Sequence, residues 1–492
     1  MRTVDRVDRA AYSDEAEAFL ASLMVEYYEH SAGLKESLEI SPIYHKHRRL
    51  FRADAVRALL GDRASREGLY LAQFAASNAI EDSLRGMTER IATGESQATV
   101  SWDGGEVPYR QAGILVANEP DPARRRDLEA RTAHVTAQLN PTRRDRLARS
   151  HQLAVSLGFR DYVAMCDELW GLGLAWLGAA MDRLLAQTRD AYRELLSRRL
   201  AAAGVSPAEA TTADLAYVRR GLEFDALFPK DRLLPALRQT LAGLGIELEA
   251  QANVSLDVDE RPLKSPRAFC APVRVPGDVR LVIRPRGGHT DFETLLHEAG
   301  HLEHFANTRA EAPFAYRCLG DNSVTEGYAF LLGNLVAAPA WLRDVLEARD
   351  LRGYLELSRL GSLYYLRRYA AKLAYELDLH RAADPGALAD RYAAMLGGAL
   401  DLRVRPENWL QDVDDFLYCA CYLRAWIFEV QLRQRLVSAH GERWFSSREA
   451  GAFLRDLWAL GQEYTADELA RRLGYDGLDV DPLIADLTRS AD

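Results

Sequence analysis

The sequence is poor in cysteine, in long apolar segments and in excess positive charge. Its five cysteines, Cys166, Cys270, Cys318, Cys419 and Cys421, are odd in number and scattered over 492 residues, which argues against a disulfide framework. No segment approaches the ~20 consecutive apolar residues of a membrane-spanning helix. A net charge of −10 argues against nucleic acid as the main partner, because proteins that bind it usually present a net basic surface.

The amino-terminal segment also lacks a targeting signal. It reads MRTVDRVDRAAYSDEAEAF and has no apolar core of the kind found in secretory signal peptides. We therefore expect a cytoplasmic protein with no membrane partner. Neither internal repeats nor low-complexity linkers divide the chain. We expect a mostly helical part over residues 1–250 and a second part over residues 251–492, without a clean linker; one continuous fold is the alternative.

Helical patterns dominate the sequence. Ala, Leu, Arg and Glu are abundant, and apolar residues recur at intervals of three and four. The strongest patterns predict helices over residues 14–28, 65–92, 171–203, 351–382 and 420–440.

Strand patterns are few and short. A hairpin is predicted over residues 98–102 and 107–109, with Asp103-Gly104-Gly105 as its turn. Further strands are predicted over residues 254–258, 273–275 and 279–284, and the last one leads through a Gly-Gly turn into a helix. The fold class we expect is mainly α, with one small β-sheet beside that helix.

The helix after the Gly-Gly turn contains the sequence HEAGH at residues 297–301. Residues four apart lie on one face of a helix, so His297 and His301 can direct two imidazoles at one metal ion. Glu298 lies beside them, where a carboxylate can take a proton from a water that zinc polarises. This spacing predicts a zinc centre, with one Zn²⁺ per chain and Glu298 as the general base.

A catalytic zinc ion needs a third protein ligand, and two carboxylates are candidates. Glu326 lies near the start of a second helical pattern, DNSVTEGYAFLLGNLV. It is our preferred ligand, although Ser323-x-x-Glu326 also fits a capping box, in which Glu326 would bind only its own helix. Asp321 is the next candidate. His304 is expected to pack beside the centre, and His289 either contacts substrate or stabilises its loop.

These residues resemble one family of metallopeptidases. The stretch from His289 to His304, which contains Thr294-Leu295-Leu296-His297-Glu298 and Gly300-His301, is similar to the active helix of the thimet oligopeptidase and oligoendopeptidase F family. Thr325-Glu326 followed by Asn334 resembles that family's second helix, where the Glu is the third zinc ligand. Thermostable carboxypeptidases and angiotensin-converting enzyme share this gluzincin core. The specific motifs cover residues 289–334, and weaker similarity extends over about the last 240 residues.

The resemblance implies a fold and a mode of substrate binding. The family has a largely helical, two-lobed body around a deep channel, to which residues 1–250 would contribute a lid or wall. Its substrates are short peptides. A strand before the zinc helix pairs with the substrate backbone, which here would be residues 279–284. We therefore expect substrate contacts from Val279, Leu281 and Ile283, and also from His289 and Tyr418.

The resemblance also implies a tyrosine that stabilises the oxyanion. Tyr422, in the segment YCACYLRAW, is the best match. The alternative for Tyr422 is core packing, since Tyr418 and Tyr422 share a helix face. A rival cluster is formed by Tyr364, Tyr365 and Tyr369.

The sequence departs from the family ahead of this tyrosine. Relatives often carry a substrate-binding histidine about ten residues earlier, where this chain has Asp412, Asp414 and Asp415. This acidic patch suggests either a preference for cationic substrates or a helix start rich in capping residues.

Three functions are therefore open. The leading one is zinc-dependent hydrolysis of amide bonds in short peptides. The second is zinc-dependent hydrolysis of a small amide from specialised metabolism, and the third is a peptidase-like binding protein without turnover. Intact His297, Glu298, His301 and Glu326 argue against the third.

Overall fold

The computed structural model describes residues 7–265, 267–382 and 385–489. The first six residues of the segment examined for a targeting signal lie outside this range. Most of the described residues are helical, which confirms a mainly α fold class. The chain divides into two compact units. Unit 1 comprises residues 1–79, 222–351 and 424–483, and unit 2 comprises residues 80–221, 352–423 and 484–492.

Unit 1 contains a three-stranded sheet and helices from three separate parts of the chain. Its strands are β3 (Val254–Asp257), β4 (Phe269–Arg274) and β5 (Asp278–Val282). Its helices are α1 (Arg9–Ser31), α2 (Ser41–Lys46), α3 (Ala53–Gly61), α11 (Leu233–Gly243), α12 (His289–Ala306), α13 (Phe314–Cys318), α14 (Asn322–Gly333), α15 (Pro339–Val345), α19 (Arg448–Trp458) and α20 (Ala466–Arg472).

Unit 2 contains a two-stranded hairpin and a set of long helices. Its strands are β1 (Thr99–Trp102) and β2 (Gly105–Pro108). Its helices are α5 (Tyr109–Asn118), α6 (Pro122–Ser156), α7 (Tyr162–Trp170), α8 (Leu174–Gln187), α9 (Arg189–Ala202), α10 (Thr212–Arg220), α16 (Arg352–Arg381) and α17 (Ala389–Leu400). Three helices have residues in both units, namely α4 (Arg66–Gln97), α18 (Tyr418–His440) and α21 (Asp481–Thr488).

The expected boundary at residue 250 does not separate these units. Each unit takes residues from both sides of that position. The reason is that helices far apart in sequence pack together within each unit. In unit 2, for example, α6 and α16 both pack with other helices of that unit. Local composition does not indicate which helices will pack together. None of the helices in the described part of the chain combines the length and apolar character needed to cross a bilayer.

Four of the five expected helices are single helices, and the segment 171–203 is broken. It begins three residues late, at Leu174, because Gly171 and Gly173 adopt left-handed backbone angles (φ +60° and +64°), and it is interrupted between α8 and α9 at Thr188. The Thr188 hydroxyl donates to the carbonyl of Leu184 at 2.7 Å and accepts from Arg367 at 2.8 Å. These buried bonds anchor the break to α16, a contact that periodicity alone does not reveal.

The sheet of unit 1 corrects the expected mode of substrate binding. Its strand order is β3-β5-β4, with β5 parallel to β3 and antiparallel to β4. Residues 279–282 therefore lie on the central strand, which pairs with a neighbour on both sides, and residues 283 and 284 follow it. Val279, Leu281 and Ile283 are buried in the core. The prediction that these three residues present an open strand edge to substrate is wrong, because β3 and β4 cover both edges of β5.

The predicted hairpin is confirmed as β1 and β2, but it does not extend this sheet. Its register pairs Val100 with Val107 and Trp102 with Gly105, and Asp103 and Gly104 form the turn. Val100 packs with Tyr109, Val116 and other residues of unit 2. The structure therefore has a second small sheet, in the other unit, where we expected one sheet in all.

Helices α12 and α14 of unit 1 approach each other closely at Gly300. A Cβ atom at this position would lie 2.5 Å from both the Ala329 Cα atom and the Tyr328 carbonyl oxygen. Backbone atoms cannot move aside as a flexible side chain can, so only glycine permits this approach. Gly300, the fourth residue of HEAGH, is thus a packing residue, and it sets the distance between the two helices.

Replacing Gly300 with alanine should destabilise the protein by about 1–3 kcal/mol, because the added methyl group must force α12 and α14 apart. The matched control is Gly178→Ala in α8, where the new Cβ meets no atom within 4 Å. This control should raise stability by roughly 0.4–1 kcal/mol through the lower entropy of the unfolded chain. Thermal melting measures both. Equal effects of the two substitutions would contradict the close helix contact.

Candidate metal centre

Helix α12 directs two imidazoles toward one point. Asp291 stabilises its start by accepting hydrogen bonds from the backbone N–H groups of Arg286 (2.6 Å) and Gly287 (2.9 Å). His297 and His301 follow one turn apart, with ring centroids 5.0 Å from each other. His289 is the first residue of α12, two turns before His297, and its ring lies edge-on to Phe228 at 6.3 Å.

Helix α14 brings Glu326 to these two histidines. Its Oε2 atom lies 3.4 Å from His297 Nε2 and 3.6 Å from His301 Nε2. The expected alternative, a capping box from Ser323 to Glu326, is not formed. The N-cap of α14 is Asp321, whose carboxylate accepts from the backbone N–H of Ser323 at 3.0 Å.

The three ligand atoms fit a small divalent ion. Donor atoms of His297, His301 and Glu326 all lie within 4.8 Å of one another. Two nitrogen or oxygen ligands of a tetrahedral zinc ion, each about 2.0–2.1 Å from it, are roughly 3.3 Å apart. The observed separations of 3.4 and 3.6 Å are close to this value. Three protein ligands also leave a fourth position open, as in catalytic rather than structural zinc centres.

The charges of the centre favour a cation. Burial by itself would raise the pKa of Glu326, but interactions with His297 and His301 outweigh burial and hold that pKa far below its ordinary value. Burial lowers the pKa of His301, yet the carboxylates of Glu326 and Glu298 outweigh it and raise that pKa. An anionic, 7% exposed carboxylate whose neighbours are two imidazoles is a strong electrostatic site for a divalent ion.

Residues around the ligands fix their orientation. The Thr325 hydroxyl is 2.8 Å from His301 Nδ1, so it holds the ring with Nε2 toward Glu326. Phe330 packs edge-on against the His297 ring at 5.1 Å and is itself stacked on Trp426 at 4.7 Å. Thr325 therefore sets the ring orientation of one ligand, and Phe330 forms an apolar wall beside the other.

Asp321, the alternative candidate for the third ligand, instead makes structural bonds between helices. Its Oδ2 atom accepts from Arg424 at 2.9 Å and from the backbone N–H of Ala466 at 3.0 Å. Arg424 lies on α18 and Ala466 begins α20, so this buried carboxylate joins the start of α14 to two other helices. Its oxygens are thereby committed to structural bonds, which leaves Glu326 as the candidate for the third ligand.

Glu298 is held by the edge of the sheet. Its Oε2 atom accepts from the backbone N–H of Cys270 at 2.8 Å. Cys270 lies on β4 and pairs with Leu281 of β5, so its N–H points away from β5 and toward α12. Burial, followed by the charges of Glu298 and Glu303, raises the pKa of the Cys270 thiol. The carboxylate next to the metal ligands is thus oriented by main chain.

His304 packs in the core, as expected. It is fully buried, with Phe305 stacked on its ring at 5.1 Å and Tyr328 edge-on at 4.9 Å. Burial lowers its pKa to about 3, so the ring is neutral near pH 7. Cys419 and Cys421 are also buried and are not linked to each other. None of the described cysteines forms a disulfide.

The tyrosines considered for the oxyanion lie in unit 2 and form two groups. Tyr422 is half-buried and makes edge-on contacts with Tyr369 at 5.5 Å and Tyr418 at 5.1 Å. Tyr364 and Tyr365 instead contact the guanidinium of Arg219, at 4.7 and 4.1 Å from their ring centres. The rival cluster is therefore divided, since Tyr369 belongs with Tyr422.

The acidic patch before Tyr418 is balanced by bases within unit 2. Asp412 pairs with Arg368 and accepts from the Tyr392 hydroxyl, Asp414 is 2.8 Å from Lys372, and Asp415 forms two bonds with Arg146 at 2.6 and 2.7 Å. Each of these three carboxylates therefore has a basic partner, which leaves little net negative charge to favour a substrate of high positive charge. Asp414, the N-cap of the turn that follows, makes no side-chain cap hydrogen bond to it.

Two contributors to this centre were not identified from sequence. The sequence motif Thr325-Glu326 gives Thr325 no role of its own, although its position next to Glu326 on a helix that faces α12 is a signal that could have found it. Cys270 contributes through its backbone N–H, which no side-chain pattern can reveal. Comparison with known proteins gives no further guide, since no protein-family model and no curated protein matches the chain.

Replacing Glu326 with glutamine should weaken zinc binding, because one of three ligands loses its charge. Removing a residue that only contacts a ligand typically weakens binding by roughly 10–100-fold, and the loss here should be larger. The parent protein should bind about one zinc ion per chain. The fold should persist, since Asp321 rather than Glu326 caps α14. Competition with a chromogenic chelator measures the affinity, and circular dichroism checks the fold. Unchanged affinity would rule Glu326 out as a ligand.

Proposed function

We propose that this protein is a zinc-dependent peptidase that hydrolyses amide bonds in short peptides. The observation that carries the proposal is the position of Glu298. It follows a ligand histidine directly, and a strand edge holds its carboxylate beside the group formed by His297, His301 and Glu326. A three-ligand centre with an adjacent, oriented carboxylate is the arrangement that hydrolysis by an activated water requires.

The residues of the centre have separable roles. His297, His301 and Glu326 would hold the ion, and Thr325 would keep His301 in the required tautomer. Zinc, when bound, supplies a Lewis acid that makes a water molecule nucleophilic near neutral pH. Glu298 would accept the proton of the attacking water and deliver it to the nitrogen that leaves. The backbone N–H of Cys270 would hold that carboxylate in place during both transfers.

Strand β4 is the edge suited to bind a peptide backbone. In the described part of the chain it has a strand partner on one side alone, β5. Its outward N–H at Cys270 reaches Glu298, so this edge runs directly past the general base. Pro272, which has no N–H to donate, is compatible with an edge strand. An extended substrate added to β4 would place a peptide bond near the centre.

The resemblance to the thimet oligopeptidase and oligoendopeptidase F family supports two further parts of the proposal. Its members enclose the site in a deep channel, which restricts them to short peptides. Their downstream tyrosine stabilises the oxyanion, and we assign that function to Tyr422. None of the described cysteines forms a disulfide, in agreement with a reducing compartment, and we place the activity in the cytoplasm.

A panel of fluorogenic peptides should be cleaved by the parent protein, and a zinc chelator should abolish cleavage. Glu298→Gln should keep its zinc but lose turnover by ~10²–10⁴, because the amide is nearly isosteric and cannot accept the proton. Zinc content measured on the same sample separates loss of the base from loss of the metal. Activity of Glu298→Gln within a few-fold of the parent would overturn the assignment, and zinc binding without cleavage of any peptide would favour a small amide substrate or a binding protein.

Tyr422→Phe should lower kcat by ~10²–10³ with a modest change in KM, because a phenol O–H that strengthens its bond to the developing oxyanion acts mainly on the transition state. Zinc content and melting temperature should stay near the parent values. Tyr365→Phe is the matched control, since Tyr365 contacts Arg219 and is 37% exposed, and Tyr369→Phe tests the neighbour of Tyr422. If Tyr422→Phe is fully active while Tyr369→Phe is not, the oxyanion function belongs to Tyr369.

A further inference from the structure

Unit 2 contains a cavity that shares no residue with the candidate metal centre. Its volume is about 310 Å³, which falls at the lower end of the range of pockets that bind small molecules. Its walls come from α4, α6, α7, the end of α16 and residues 410–415, all within unit 2. We refer to it as the unit 2 cavity.

One wall of the unit 2 cavity offers an imidazole nitrogen without a partner. His380 is 7% exposed, and its Nδ1 atom is 2.8 Å from His151 Nε2. Tyr162 stacks on its ring at 4.6 Å, which fixes the ring plane. The Nε2 atom is buried and has no hydrogen-bond partner among the described residues. Buried polar atoms are nearly always bonded, so this nitrogen indicates a missing polar group in the cavity.

A second wall offers an unpartnered carboxylate oxygen. Asp414 lines the cavity, and its Oδ1 atom lies 2.8 Å from Lys372 Nζ. Its Oδ2 atom is buried and, within the described residues, makes no hydrogen bond. An ionised carboxylate can only accept hydrogen bonds, so the group that completes this site must be an N–H or O–H donor. An ammonium group would satisfy it best, because a charged donor forms the stronger bond.

Two arginines at the rim of the cavity supply positively charged hydrogen-bond donors. Arg143 is bonded to Glu95 at 2.6 Å, and Arg146 is bonded to Asp415. A guanidinium has five N–H groups, and these pairs use only some of them. Lys372 lies outside the lining and pairs with Asp414, so each of the three lining carboxylates, Glu95, Asp414 and Asp415, has a basic partner. A ligand with a large net positive or negative charge is therefore disfavoured. A ligand that carries one positive and one negative group finds a partner of opposite charge for each group.

We propose that the unit 2 cavity binds a small zwitterion of the free α-amino acid class. Its ammonium group would donate to Asp414 Oδ2, and its carboxylate would accept from Arg143 and Arg146. An aliphatic side chain would pack against Leu147, Leu410 and other apolar residues of the lining. This site does not depend on peptidase activity, since none of its residues belongs to the metal centre.

Ligand binding would act on a strained segment next to the cavity. Phe416 and Leu417 both have left-handed backbone angles, with φ of +56° and +55°. The backbone N–H of Phe416 donates to the Tyr162 hydroxyl at 2.7 Å, so a residue of the cavity wall already stabilises this conformation. Because Asp414 lies two residues before Phe416, a ligand bound to its carboxylate would further restrict the segment that leads into α18.

Isothermal titration of the full-length protein with leucine, 4-methylpentanoate and isoamylamine tests the proposal. Leucine should bind with a Kd of about 1 mM or below. Each analogue lacks one of the two charges and should bind at least about tenfold more weakly. Slower hydrogen exchange of residues 413–417 should accompany leucine binding. Absence of binding by leucine, or equal binding by isoamylamine, would overturn the zwitterion site.

Two variants locate the binding. Asp414→Asn should weaken leucine binding at least about tenfold, while Asp378→Asn should not, because Asp378 lies on α16 outside the cavity and pairs with Arg391. Ala92→Phe fills the cavity from an exposed lining position, so it tests the site even if Asp414→Asn fails to fold. Leucine binding that survives Ala92→Phe but is lost in Glu326→Gln would place the ligand at the metal centre and refute the proposal.

Discussion

The close contact between α12 and α14 at Gly300 is the constraint on which the candidate centre depends. The two histidines lie on one helix and the carboxylate on the other, so the separation of their side chains depends on how closely the two helices pack. Backbone atoms of Tyr328 and Ala329 occupy the space that any other residue at position 300 would need. The metal ligands flank this contact along the chain, at His297, His301 and Glu326. Main-chain packing thus sets the separations of 3.4 and 3.6 Å on which the zinc interpretation is based.

The structure contains a second group of potential ligands, and comparison of the two shows why one is the better metal site. Glu376, Asp414 and Cys419 also lie within 4.8 Å of one another. There, however, Lys372 Nζ is 2.8 Å from Asp414 and 3.7 Å from Glu376. The ammonium group already supplies the compensating positive charge. Around Glu326 the corresponding neighbours are imidazoles, which bind metal ions in their neutral form.

Local patterns predicted much of this arrangement, and contacts distant in sequence account for what they missed. The helical periodicity and the spacing of HEAGH depend on residues a few positions apart, so the helices, the hairpin and the two histidine ligands could be predicted. The order of the strands β3, β5 and β4 could not be predicted, because an edge strand and a central strand have similar composition when both are short. The break at Thr188 and the joining of three helices by Asp321 also depend on partners far along the chain, Arg367 and Arg424.

The arrangement of ligands on two closely packed helices has a thermodynamic consequence. An ion held by His297, His301 and Glu326 would cross-link α12 to α14 and would bind the folded chain in preference to the unfolded one. Its binding free energy would then add to the free energy of unfolding, by about 4 kcal/mol at a metal concentration 1,000 times the Kd. The bound ion would therefore stabilise the packing of α12 against α14, the two helices that supply its ligands. Stability of the fold in the cell would therefore vary with the supply of zinc.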